Sequence, residues 1–156
     1  MPMLLIALLV VLLLASFLLS GTETAFFALN RVHLRRLERD GRPRARRVLR
    51  AAGRSQELLN TVLVGNNLAN IGLSVLLTTL LLDRIEGGYG LELAILTTTL
   101  LILLIGDVTP KTLAITYPET MTRLLVDPYR ALRLLLLPAT AAVSVLAGLV
   151  LRAIRL

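Results

Sequence analysis

Long apolar runs alternate with short polar ones along the chain, and the length of the apolar runs sets the class of protein. The first run extends from about Met3 to Ala28, the second from about Leu58 to Leu82, and the third from about Leu93 to Ile105, continuing to Pro110. A helix needs roughly 20 apolar residues to cross the hydrocarbon core of a bilayer. The pattern therefore predicts three spanning helices, over about 3–28, 58–82 and 93–110. The first run is not a signal peptide: no charged region precedes it, it is too long for an h-region, and basic residues follow it. Residues 30–55 are hydrophilic. Gly41, Arg42 and Pro43 divide them into two short helices, the first with a modest apolar stripe of Val32, Leu34 and Leu37. Between the second and third runs, Asp83 to Glu92 carries the Gly-Gly-Tyr-Gly sequence of a turn.

The distribution of charge orients these spans. From Arg31 to Arg54 there are ten Arg against Glu38 and Asp40, whereas the 83–92 loop holds Asp83, Glu86 and Glu92 against Arg84 alone. Positive residues collect on the cytoplasmic side. That puts the basic loop inside, the N-terminus outside and the chain back in the cytoplasm after Lys111. Residues 112–156 then form a juxtamembrane belt on the cytoplasmic side. Within it, Leu134 to Leu151 is apolar and Pro138 interrupts it, with Arg130 and Arg133 before and Arg152 and Arg155 after. A simple crossing would leave one basic cluster outside, so the segment reads as bent, re-entrant or interfacial. Its length alone would allow a fourth span. The fold class expected is an all-α integral membrane protein: three transmembrane helices plus belt or re-entrant helices, in a single domain over 1–156.

Composition agrees with a membrane location. The chain is 56% hydrophobic with a mean hydropathy of +0.79, more apolar surface than a domain of this size can hide from water. The net charge of +7 suits anionic headgroups. Only 4% of residues are aromatic, which argues against base stacking and hence against nucleic acid as a partner. There is no Cys, and His33 is the single His. Disulfides, thiolate or His-rich metal sites and a Ser-His-Asp triad are therefore excluded or unsupported, and no enzyme is expected.

Polar residues inside spans are costly and face a partner or a wet cavity. Each of the first three spans carries such a cluster. In the first, Ser20, Glu23 and Thr24 share a face at i, i+3, i+4; Glu23 alternatively reaches water at the helix end. In the second, Asn66 and Asn70 share a face one turn apart, beside Gly65. Asn carbonyls are hard oxygen donors or interhelical glue. In the third, Pro110 cannot donate to the carbonyl of Gly106, leaving a free oxygen next to the Asp107 carboxylate; Lys111 could pair with Asp107 at i, i+4. Hydroxyl, amide, carbonyl and carboxylate oxygen without imidazole or sulfur is a donor set for a hard cation such as Mg²⁺.

The sequences Ser20-Gly21-Thr22-Glu23-Thr24-Ala25, Gly65-Asn66-Asn67-Leu68-Ala69-Asn70 and Gly106-Asp107-Val108-Thr109-Pro110-Lys111 occur in this order, with an Arg-rich loop after the first. In that arrangement they resemble the transmembrane domain of the CorC/cyclin M family. The resemblance covers about residues 3 to 150. It implies a plasma-membrane dimer that transports Mg²⁺, typically exporting it against Na⁺ influx, with three spanning helices and a cytoplasmic-side belt. Carried over residue by residue, Ser20, Asn66, Asn70, the carbonyl of Gly106, and Asp107 would line the Mg²⁺ site. Glu23 and Thr24 lie in a part of the motif that varies among relatives. Relatives commonly have Glu where this chain has Asp107, so reach there is shorter by one methylene. The family usually carries paired CBS regulatory modules after this domain. None lies within residues 1–156, which read as a piece of a longer protein or a short relative, and no phosphate-cradling glycine loop is present. Small residues such as Ala69 and Gly72 suit close helix packing, between protomers or within one. The competing reading is a non-transporting membrane anchor or Mg²⁺-sensing dimer module, in which the same polar residues are structural glue.

Overall fold

A computed structural model describes residues 2–82 and 89–154, so most of the expected outer loop, residues 83–88, lies outside the described residues, as does Arg155. Every described element is helical: α1 Pro2–Phe27, α2 Arg31–Asp40, α3 Pro43–Ala52, α4 Ser55–Leu82, α5 Gly90–Leu101, a π-helical segment Ile102–Val108, α6 Thr109–Thr116 and α7 Pro118–Ala153. Among the described residues, four stretches are long and apolar enough to cross a membrane: Met3–Phe27, Ser55–Leu82, Gly90–Thr116 and Pro118–Val150. The first three are the expected spans.

Local chemistry explains the α2–α3 hairpin. Asn30 caps α2: its Oδ1 accepts from the amides of Val32 and His33, both at 3.0 Å. His33 Nδ1 accepts from the Asn30 amide at 3.4 Å, which closes a reciprocal capping box. Gly41 ends the helix at φ +63°, a left-handed conformation that a side chain would oppose. Pro43 then opens α3, where its missing amide costs nothing.

The hairpin is docked rather than free. Leu37, Ala45 and Val48 form a buried cluster with Val126 of α7. Asp127 accepts from Arg47 Nη2 at 3.0 Å, and its other oxygen lies 2.7 Å from Arg47 Nε as an ion pair. Arg123 bridges Asp40 and Glu119. Part of the loop's positive charge is thus spent on Asp127 of α7.

Helix α1 lies at the centre, against α4, α6, α7 and the π segment. One buried cluster joins Leu19, Leu58, Val62 and Tyr129; another joins Ala25, Ala114, Met121 and Leu125. Elsewhere the large apolar side chains point outward, among them Leu4, Val11, Ile71, Val75, Leu135 and Val145. A continuous apolar exterior of this extent is the surface of a lipid-embedded protein.

The expected interruption at Pro138 is not present. Helix α7 runs unbroken through Pro128 and Pro138 for 36 residues, about 54 Å at 1.5 Å per residue. Its Arg133 pairs with Glu57 at the start of α4, and Thr140, Val143 and Ala147 flank a groove shared with Leu63, Leu68 and Ile71 further along α4. The second half of α7 therefore runs alongside α4 in the same sense. Proline removes one helix hydrogen bond, but an apolar surrounding offers the backbone no better alternative than helix.

Candidate metal centre

The polar residues of three helices meet at two serines of α1. Ser16 and Ser20 are one turn apart, and both are fully buried. Ser16 Oγ donates to Asn70 Oδ1 at 2.6 Å, and lies 3.4 Å from Asn66 Oδ1 and 3.5 Å from the Gly106 carbonyl oxygen. Ser20 Oγ donates to Asp107 Oδ1 at 2.6 Å and lies 3.5 Å from the Asp107 carbonyl oxygen. Lys111 Nζ reaches the same carboxylate oxygen at 2.8 Å.

The π segment shapes this meeting. Widening the turn shifts the backbone bonds by one residue, so that the Thr109 amide donates to Leu104; the Thr109 hydroxyl adds a second bond to that carbonyl at 2.6 Å. Single widened turns of this kind recur at functional sites. The expectation of a helix end at Pro110 is thereby revised, because the chain continues as helix to Thr116. The Gly106 carbonyl, which Pro110 cannot satisfy, faces Ser16. A Cβ at Gly106 would stand 2.9 Å from Ser16 Oγ, so the close approach of the two helices requires glycine.

The electrostatics follow from a count of hydrogens. Ser16 has one hydroxyl hydrogen, and the oxygens of Asn70, Asn66 and Gly106 all face it. One acceptor takes the hydrogen and the others present lone pairs to a common space. Asp107 is the single carboxylate of the cluster, and no group of three or more His, Cys, Asp or Glu occurs among the described residues. The centre is thus rich in neutral oxygen and poor in fixed charge. An open cleft of about 250 Å³ leads to it, lined by Asn70, Ser74, Thr98, Thr99 and Asp107, with Ile102 and Leu103.

Of the residues named from sequence, Ser20, Asn66, Asn70, Gly106 and Asp107 come together. Glu23 and Thr24 are half-buried, and their side chains make no hydrogen bond or ion pair to the cluster among the described residues. Asn67 is exposed and lines the α4–α7 groove. Ser16, the hub of the α4 contacts, is a lone hydroxyl in a Leu-rich run, which does not single it out in the sequence. Its spacing, one turn before Ser20, was the available signal. Ser74, Thr98 and Thr99 gave none beyond polarity.

Lys111 occupies the position opposite the carboxylate that a cation needs. If the centre takes a hard cation such as Mg²⁺, Lys111→Met should tighten its binding by about tenfold, or roughly 1.4 kcal/mol, because the ion would no longer displace an ammonium. Calorimetric titration of parent and variant reads this directly; weaker binding in the variant would show that Lys111 supports the site rather than competes for it.

A polar oxygen centre between bilayer-length helices defines a multi-pass membrane protein with a buried hydrophilic core. The chain matches the Cyclin M transmembrane N-terminal domain over residues 7–156 and belongs to that family. It is 39% identical over 100 residues to the UPF0053 inner membrane protein YfjD of Escherichia coli, covering 64% of this chain and 23% of that protein. It is 31% identical to a UPF0053 protein of Haemophilus influenzae, over 73% of this chain and 27% of the relative. A UPF0053 protein of Synechocystis is likewise 31% identical, over 85% of this chain and 38% of its own length. The chain thus spans well under half the length of these relatives.

Proposed function

We propose that this domain binds Mg²⁺ at the Ser16–Ser20–Asn66–Asn70–Gly106–Asp107 centre and carries it across the membrane by alternating access, exporting it against Na⁺ influx, as a homodimer. The basic α2–α3 hairpin would lie on the cytoplasmic face. The observation that carries the reading is the surplus of acceptors: three oxygens from α4 and the π segment around one hydroxyl hydrogen on α1, beside a carboxylate. Mg²⁺ is a hard ion that keeps several waters and takes few carboxylates, which suits a site of neutral oxygens opening on a cleft with room for them. Ser16 and Ser20 would contribute hydroxyl oxygens, Asn66 and Asn70 amide oxygens, Gly106 its carbonyl, and Asp107 the charge. Three helices meeting at the site supply surfaces that can move relative to one another, which alternating access needs.

The test is Mg²⁺ flux in reconstituted vesicles, with Asn70→Ala beside the parent and a Na⁺ gradient imposed or collapsed. The parent should transport, and Asn70→Ala should lose at least about tenfold of the rate, since the Ser16 bond and one donor oxygen disappear together. Equal flux in both would remove the site assignment. A second reading has its own observation: Asp107 already has Ser20 and Lys111 as partners, and Ser16 has Asn70. A satisfied cluster can serve as helix glue in an anchor or sensing module. Saturable Mg²⁺ binding without flux would favour the sensor, and neither binding nor flux would favour the anchor.

A further inference from the structure

Where α3 turns into α4, and α7 passes both, five arginines from separate parts of the chain converge. Arg47, Arg50, Arg54, Arg130 and Arg133, with Glu57 among them, line a cavity of about 170 Å³. One water needs about 10–15 Å³, so the space is an order of magnitude larger than a single solvent molecule requires. Its floor is apolar: Leu58 and Tyr129 belong to the buried cluster of the spanning bundle. The cavity therefore sits at the mouth of that bundle, level with the first turn of α4.

The guanidiniums are not balanced by protein carboxylates. Arg47 is committed to Asp127 and Arg133 to Glu57. Arg54 lies 3.8 Å from the same Glu57. Among the described residues, Arg50 bonds only the Arg46 carbonyl, at 3.4 Å, and Arg130 has no ion-pair partner. One carboxylate on the lining thus faces five cations. A second observation is independent of this count: the buried Nε atoms of Arg47 and Arg133, both on the lining, find no hydrogen-bond partner among the described residues, and Arg133 Nε has no carboxylate beside it as Arg47 Nε has in Asp127. Buried donors are normally satisfied, and an unsatisfied one beside a cavity has room there for an acceptor. The tendency of basic residues to collect beside a span explains their number. It does not explain why residues some 80 positions apart close on one cavity against their mutual repulsion.

We propose that this cavity binds a phosphate group, held by the forked N–H donors of Arg50, Arg130 and Arg133, as guanidinium and phosphate geometries match. The phosphate belongs either to the headgroup of an anionic lipid or to a free phosphate. This proposal is independent of the cation centre, which lies deeper in the bundle.

The test is thermal unfolding of the purified, delipidated chain in detergent, followed by circular dichroism because the sequence has no Trp or Cys. Inorganic phosphate is added at constant ionic strength against chloride; separately, dioctanoyl phosphatidylglycerol is compared with dioctanoyl phosphatidylcholine. A ligand that binds the folded state raises Tm, here by at least about 3 °C at saturation. The Arg50→Gln/Arg130→Gln double variant should lose the shift. Arg35→Gln/Arg39→Gln, an equal loss of charge on the exposed face of α2, should keep it. A shift with inorganic phosphate that follows this pattern assigns a free-phosphate site. A shift with the anionic lipid alone, following the same pattern, assigns a headgroup site. No shift with either probe, or a shift lost equally in both double variants, overturns the proposal.

Discussion

Asp107→Ala should weaken Mg²⁺ binding by at least about a hundredfold, roughly 3 kcal/mol. Two effects add. Asp107 is the only carboxylate of the centre, so its loss removes the one full negative charge offered to the ion. Its partner Lys111, 2.8 Å away, is then left as an uncompensated cation beside the site, in surroundings where charges are poorly screened. The two effects can be separated. Adding Lys111→Met to Asp107→Ala should recover part of the affinity, whereas a purely structural defect would deepen. Glu23→Gln serves as the comparison. It also removes a carboxylate from a span, but one with no bond to the cluster, and it should bind Mg²⁺ like the parent. Equal losses in Asp107→Ala and Glu23→Gln would mean that binding answers to the net charge of the bundle rather than to this centre.

Gly106→Ala should abolish binding while leaving a folded helical protein. The added Cβ would meet Ser16 Oγ at 2.9 Å, closer than such atoms pack. Rotating the hydroxyl away relieves the clash but breaks the 2.6 Å bond to Asn70. Keeping that bond requires α1 to move off the π segment. Overpacking of this kind costs about 1–3 kcal/mol, a tolerable loss of stability, yet either response separates the donor oxygens. The expected result is near-parental helicity by circular dichroism, a Tm lowered by a few degrees and no calorimetric signal for Mg²⁺. Binding within threefold of the parent would show that the Gly106 carbonyl and the tight approach of α1 are dispensable.

How much of this was readable from the chain depended on how local the cause was. The α2–α3 hairpin was legible because Asn30, Gly41 and Pro43 act on their own neighbours. The three spans were legible because crossing length is a property of a run of residues. Helix α7 departs from the sequence expectation at Pro138. A proline penalty taken in isolation predicts a break, but the neighbouring apolar surfaces of α4 and the lack of competing water keep the backbone helical. Glu23 was grouped with Ser20 by helical period alone. Period places residues on a common face; it does not say which partner side chains that face meets at each turn. Ser16 was overlooked for the converse reason: its importance comes from Asn66, Asn70 and Gly106, which lie 50 to 90 positions away.

Sequence alone determined the solvent this protein lives in, the number and approximate limits of its first three spans, its basic hairpin, and polar groups within the spans that offer oxygen but neither imidazole nor sulfur. Those properties follow from hydropathy, charge and residue type, which are additive along a chain. Tertiary structure alone decided which oxygens share one hydroxyl hydrogen, that Lys111 sits on the carboxylate, that the turn at Gly106 widens, and that five arginines close on one cavity. Each of these depends on how the helices rotate about their axes and cross, and that is set by the packing of all of them together, with the close approach of α1 to Gly106 as one part of it.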